Sequence, residues 1–191
     1  MNDGVFPMHF VAAPLTGVFV LELEKHEDER GYFARSFCRE EFLAQGLSPD
    51  ISQCSISYNR LEGTLRGLHW QITPNEEIKL VRCIRGKVFD VVVDLRPVSS
   101  MYGKYFALEL SEENSKAIYI PEGLAHGFLS LQDDSILLYQ ISRAYVPESA
   151  RTIRWDDPIL SIPWPRTKNL IMSEKDRTAP LWDVYHKNFV R

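Results

Sequence analysis

Short runs of apolar and β-branched residues, many alternating with polar ones, recur about every ten residues from residue 16 to residue 142. Segments 16–23, 32–37, 51–58, 64–71, 78–85, 87–95, 105–111, 117–120, 127–131 and 136–142 each read as a strand. Turn signals stand between several of them: Glu62-Gly63, Arg85-Gly86, Tyr102-Gly103 and Gln132-Asp133-Asp134. That rhythm suggests an all-β sandwich or barrel. Val91-Val92-Val93, flanked by Asp90 and Asp94, fits a strand buried on both faces.

Helical signal is scarce. Arg39-Glu40-Glu41-Phe42-Leu43-Ala44-Gln45, stopped by Gly46, reads as one short helix. After about Ala150 the pattern breaks down into Pro-rich segments such as Trp155-Asp156-Asp157-Pro158. Ser173-Glu174-Lys175-Asp176 is a capping candidate for a short helix or turn. Neither a repeat nor a linker is visible. The expectation is a single domain over residues 1–191, with a barrel core at about 16–145 and a C-terminal appendage at about 146–191 packed over it.

With 45% hydrophobic residues the chain can bury a sizeable core. A net charge of −4 without a block of like charges argues against nucleic acid as the main partner, though not against a nucleotide. Cys38, Cys54 and Cys83 form no CxxC spacing and read as reduced thiols. The start of the chain lacks the basic region of a signal peptide, and no apolar run is long enough for a transmembrane helix. The expected location is cytoplasmic.

Two Gly-punctuated segments end in a His: Gly63-Thr64-Leu65-Arg66-Gly67-Leu68-His69-Trp70-Gln71 and Pro121-Glu122-Gly123-Leu124-Ala125-His126-Gly127-Phe128. This pairing resembles the two motifs of the cupin barrels. Metal cupins carry a second His where Gln71 stands, which leaves His69, Glu76 and His126 as the remnant of a metal site. Arg66, three residues before His69, falls on the opposite face of a regular strand, Gln71 falls on the same face, and Lys79 opens the next strand. An imidazole, a cation and an amide lining one cavity suit an anionic substrate.

More specifically, the chain resembles the dTDP-4-dehydrorhamnose 3,5-epimerase family. The matching segments, in family order, are Asp28-Glu29-Arg30-Gly31-Tyr32-Phe33, Leu65-Arg66-Gly67-Leu68-His69-Trp70-Gln71, Lys79-Leu80-Val81-Arg82, Gly86-Lys87-Val88-Phe89-Asp90-Val91-Val92-Val93-Asp94-Leu95-Arg96, the His126 segment, and Ser173-Glu174-Lys175-Asp176. The resemblance implies a cupin jelly roll, that is a double-stranded β-helix with short helices. It implies a homodimer that exchanges N-terminal strands and works without metal or other cofactor. The implied substrate is a nucleotide-linked 4-keto-6-deoxyhexose, most directly the dTDP-sugar epimerised at C3 and C5 on the route to dTDP-L-rhamnose.

In that scheme His69 is the base, Asp176 its carboxylate partner, Lys79 the cation that stabilises the enolate, and Tyr139 the general acid. Tyr139 stands between apolar residues and by itself reads as core. Arg66, Gln71 and His126 line or support the cavity. Arg30, supplied by the partner subunit, meets the pyrophosphate, and Phe33 and Gln53 meet the base and sugar. Two positions depart from the family: Arg35 stands where Glu is common, and Ser55 where Asn is common. Both are associated with the nucleotide, so another nucleotide or a C3-only reaction stays open. A metal cupin and a non-catalytic sugar-nucleotide binding module are the remaining alternatives. Glu76-Glu77 also replaces a more usual uncharged stretch, with no function read for it.

Overall fold

The computed structural model describes residues 7–182; the ends of the expected domain, 1–6 and 183–191, lie outside them. The strands are β1 (Met8–Ala12), β2 (Phe19–Leu23), β3 (His26–Asp28), β4 (Gly31–Phe33), β5 (Gln53–Asn59), β6 (Leu65–Gln71), β7 (Lys79–Arg85), β8 (Lys87–Asp94), β9 (Tyr105–Ser111), β10 (Ala117–Ile120), β11 (Leu124–Ser130), β12 (Ser135–Ile141) and β13 (Ala150–Thr152). Helices α1 (Arg39–Ala44) and α2 (Glu174–Arg177) are short. No helix among the described residues is long and apolar enough to cross a membrane.

One sheet has the order β1-β2-β10-β7-β12-β5, and the other β13-β6-β11-β8-β9. From β5 to β8 the chain changes sheet at every strand, and all ladder pairings are antiparallel. Two antiparallel sheets wound around each other in this way make the double-stranded β-helix expected from the sequence. β3 and β4 form a separate, exposed hairpin.

Alternation along each strand decides what is buried. Val81 and Cys83 of β7 join Val88 and Val92 of β8, Phe128 of β11 and Leu137 of β12 in the core between the sheets. The other face of β8 is buried too: Val91 and Val93 pack with Trp70, Ile153, Leu160 and Trp182. The C-terminal segment therefore covers the five-stranded sheet, which is why Val91-Val92-Val93 reads as an unbroken apolar run. On the opposite side Phe42 of α1 packs on Met8, Leu21, Leu80 and Tyr119. Phe10 meets it edge-on at 5.3 Å between ring centroids. α1 stops where Gly46 turns left-handed, with φ +71°.

Three strands escape the sequence pattern. β1 lies in an N-terminal stretch that gave no strand signal, and β3 is polar and wholly exposed. β13 follows Pro147 in a stretch without alternation and is held by pairing with β6 alone. The sheets therefore extend beyond the expected core of 16–145, to Met8 and Thr152. The expected strand at 32–37 is shorter, ending at Phe33, and the expected strand at 16–23 begins only at Phe19.

Candidate active site

Between the sheets lies a cavity of about 650 Å³, walled by β5, β6, β7 and β12 and closed on one side by residues 171–176. His69, Lys79, Tyr139, Asp176, Gln53, Ser55, Arg66, Gln71 and His126 all line it. The arrangement of His69 and Arg66 corrects the expectation from a regular strand. Across β6 and β11, His69 pairs with His126 and Arg66 with Phe128, so β6 has three steps where β11 has two. The extra residue is a bulge, and it turns Arg66 and His69 toward the same cavity. The chains approach so closely there that a Cβ on Gly67 (φ +126°) would stand 2.5 Å from the Gly127 Cα.

The appendage delivers the partner of His69. Residue Ile171 is bound between β6 and the preceding turn: its N–H donates to Gly63 O at 2.8 Å, and its carbonyl accepts from Leu65 N at 2.7 Å. Gly63 (φ +82°) permits this, since a Cβ would lie 1.9 Å from Asn169 O. α2 begins just beyond, with Ser173 Oγ accepting from Asp176 N at 3.1 Å. Asp176 Oδ1 then lies 2.6 Å from His69 Nε2, with the Asp176 side chain 5% exposed and the His69 side chain 41% exposed.

Burial pushes the Asp176 carboxyl up, but the hydrogen bond and charge of His69, Ser173 and the Gly67 N–H together hold it below its ordinary value. Asp176 is therefore a carboxylate at neutral pH and accepts from Nε2–H. That tautomer leaves the lone pair on Nδ1, which has no hydrogen-bond partner among the described residues. The free ring nitrogen of His69 is then on the side away from Asp176.

Lys79 comes from the facing sheet. Its Nζ donates to His69 O at 3.2 Å and lies 2.9 Å from Glu77 Oε1. Tyr139 is two residues along the neighbouring ladder, opposite Val81 and Ser55. Burial above all, then the Asp90 charge, pushes its phenol well above its ordinary value of 10, against the pull of Arg66. The phenol is a proton donor at neutral pH. His69 and Tyr139 thus stand on opposite walls. His126 is edge-on to Tyr139 at 5.8 Å, and its Nε2 lies 2.8 Å from Asp90 Oδ2 in a fully enclosed pair.

Arg66 is aimed by Asn59, whose Oδ1 accepts from Nε at 2.9 Å. Gln71 is a scaffold: Oε1 accepts from Val146 N, and Nε2 donates to Asn75 O, Glu77 Oε2 and Ala144 O. Gln53 Oε1 accepts from Tyr145 N. Glu76 does not join His69 and His126; it accepts from Thr73 Oγ1 in the loop before β7 and is absent from the cavity wall. Arg30 and Phe33 stay outside the cavity of their own chain, on the exposed β3–β4 hairpin, where Arg30 chelates Asp28. Arg35 is also elsewhere, paired with Glu41 of α1 at 2.7 Å.

The wall holds further groups that sequence reasoning passed over: Glu77, Arg143, Tyr145, Arg151 and Lys175. Only Lys175 had a usable signal, its place beside Asp176. With Arg66 and Lys79, the cations outnumber the carboxylates Glu77 and Asp176, which fits an anionic ligand.

Comparisons with known proteins show the family of the chain. The family model described as dTDP-4-dehydrorhamnose 3,5-epimerase matches residues 12–183. The enzyme of that name from Methanothermobacter thermautotrophicus is 45% identical over 94% of this chain and 95% of its own length. The crystal structure of dTDP-4-dehydrorhamnose 3,5-epimerase from Elizabethkingia anophelis superposes with a TM-score of 0.89 at 38% identity, covering 93% of this chain and 97% of that one. The dTDP-6-deoxy-D-glucose-3,5-epimerase of Legionella pneumophila, solved in complex with dTDP-4-keto-L-rhamnose, gives 0.90 at 33% identity, covering 96% and 97%. With the match spanning both sheets and the segment that carries Asp176, the chain belongs to the dTDP-4-dehydrorhamnose 3,5-epimerase family.

Proposed function

We propose that the protein is an isomerase that inverts C3 and C5 of dTDP-4-dehydro-6-deoxy-D-glucose, giving dTDP-4-dehydro-L-rhamnose. The C–H bonds at C3 and C5 flank the C4 carbonyl and are acidified by it. His69 Nδ1 takes each proton, and Asp176 stabilises the imidazolium that results. Lys79 donates to O4 as negative charge gathers there. Tyr139 returns a proton from the other face. The observation that carries this reading is the placement of a carboxylate-paired imidazole and a half-buried, neutral phenol on facing sheets.

For the nucleotide end, Arg66 and its neighbouring cations suit the diphosphate, since guanidinium matches phosphate geometry. Arg30 and Phe33 are assigned to the site of a second copy, in a homodimer that exchanges N-terminal strands. Supporting this, Phe33 is 66% exposed, as is Ile56 on the edge strand β5, and large apolar side chains in that state suit a partner. Ser55 lines the cavity and is available to the nucleotide, whereas Arg35 is committed to Glu41. Free thiols at Cys38, Cys54 and Cys83 fit a cytoplasmic place.

The test is solvent isotope wash-in with dTDP-4-keto-6-deoxyglucose in D₂O, read by mass spectrometry. Two deuterons per sugar, lost in His69→Ala, are expected. One deuteron would reassign the protein as a single-centre epimerase. None, from folded protein, would move the search to other nucleotides.

A further inference from the structure

Glu77 has no part in the proton transfers, yet its carboxylate is enclosed in the cavity wall, with the side chain 11% exposed. Both of its oxygens are engaged: Oε1 lies 2.9 Å from Lys79 Nζ, and Oε2 accepts from Gln71 Nε2 at 2.9 Å. Gln71 is itself fixed by Asn75 O, Ala144 O and Val146 N, so Glu77 has no freedom to swing away. We propose that Glu77 is a positioning residue that keeps Lys79 charged and aimed at the reacting ketone. The proposal rests on the reading of Lys79 given above.

An ammonium has three donors. In Lys79, one goes to His69 O at 3.2 Å and one to Glu77. The third is left for a ligand oxygen in the cavity. Two fixed acceptors on the protein side therefore define where the free N–H points. An uncompensated charge in a low-dielectric wall is costly, and the Glu77 carboxylate compensates this one.

Among the described residues, counter-charge for Lys79 has one source. Asp176 is paired with His69, and Asp90 with His126. Arg66, Arg143, Arg151 and Lys175 on the same wall are cations, and Tyr139 is held as the neutral phenol. Glu77 also repels an enolate, but it is in direct contact with the Lys79 ammonium that would meet O4. Coulomb energy falls as 1/r, so the attraction that holds the ammonium wins.

The test compares the native protein with Glu77→Gln and Glu77→Asp between pH 7 and pH 10. Lys79 acylation by acetic anhydride is read by peptide mass spectrometry, with Lys104 as the internal standard, beside kcat and KM. Removing an opposite charge at contact distance shifts a titration by a unit or more, so at pH 8 Lys79 in Glu77→Gln should label at least about tenfold faster. Its kcat should fall progressively as pH rises, KM should change by less than kcat, and Glu77→Asp should restore most of both. Burial pushes the Tyr139 phenol upward, away from this pH range.

Unchanged labelling in Glu77→Gln overturns the proposal. So does a loss of kcat equal at every pH that tracks a lower Tm and is not restored by Asp, which would make Glu77 a packing residue. Shifted labelling with a native kcat profile overturns it as well. If the native protein shows no turnover with this substrate, the search moves to other nucleotides; the labelling arm still judges the Glu77–Lys79 pair.

Discussion

At the inner end of the cavity three ionisable side chains lean on a second protein group: His69 on Asp176, Lys79 on Glu77, His126 on Asp90. At the outer end, Arg143 and Lys175 have no protein partner among the described residues; Arg30, proposed to serve a second copy and outside this cavity, is 86% exposed on its hairpin. At the inner end His69, Lys79, His126 and Asp90 stand on paired strands, while Asp176 comes from α2 and Glu77 from the loop before β7. The outer end is built on α2, a loop and a hairpin, all outside both sheets. Stabilising a developing charge requires groups already in place, whereas holding a flexible diphosphate tolerates groups that settle on binding. Substitutions at the inner end should therefore lower kcat, and those at the outer end should raise KM.

The largest effect should come from His69→Asn or Asp176→Asn, each lowering kcat by about 10²–10⁴-fold, the range of a positioned base. Stopped-time assays with deuterium counting check this, and native KM values are expected. A KM rise with native kcat from either variant would break the division between the two ends. Tyr139→Phe comes next. Loss of the donor should cost about 10²-fold in inverted product, while exchange into the sugar by His69 continues. Chiral analysis of product beside total deuterium separates these two readings.

At the outer end, Arg30→Ala should raise KM by roughly ten- to a hundredfold, the worth of a charge-assisted hydrogen bond, and leave kcat near native. If Arg30 serves the neighbouring subunit, mixing Arg30→Ala with His69→Ala and allowing subunits to exchange should regain activity, because one site of the heterodimer then holds both native residues. No regain from a demonstrated heterodimer would return Arg30 to the surface of its own chain.

What the sequence disclosed follows the same division. Alternation made the ladder strands legible, and the valine run of β8 announced a strand covered on both faces. The bulge at Gly67 has no alternation signal, so Arg66 read as facing away from His69 although both enter the cavity. Asp176 was reachable only through resemblance, since nothing local reveals that Ile171 is pinned beside Gly63. No function was legible for Glu77 for a similar reason: its partners, Gln71 and Lys79, lie on two strands that the loop itself does not show. Arg35 looked like a change at the nucleotide, yet in this fold its charge answers Glu41.

The smallest effect concerns acid stability, and it separates the two ends without any substrate. Asp176 and Asp28 are both held below their ordinary value of 3.8, the first by bonds that outweigh burial, the second by the hydrogen bonds of Arg30. A carboxyl depressed in the folded state contributes stability above its unfolded value, and that contribution is lost as pH falls through the folded value. Asp176 is enclosed, so its share should be visible as a drop in Tm below about pH 4, absent in Asp176→Asn. Asp28 is 48% exposed and its pair with Arg30 is screened by water and salt, so Asp28→Asn should follow the native curve. Tm recorded from pH 7 to pH 2 for the three proteins decides it. A missing acid slope in Asp28→Asn would mean that the hairpin is packed against something in solution, and the outer end would then be as well supported as the inner one.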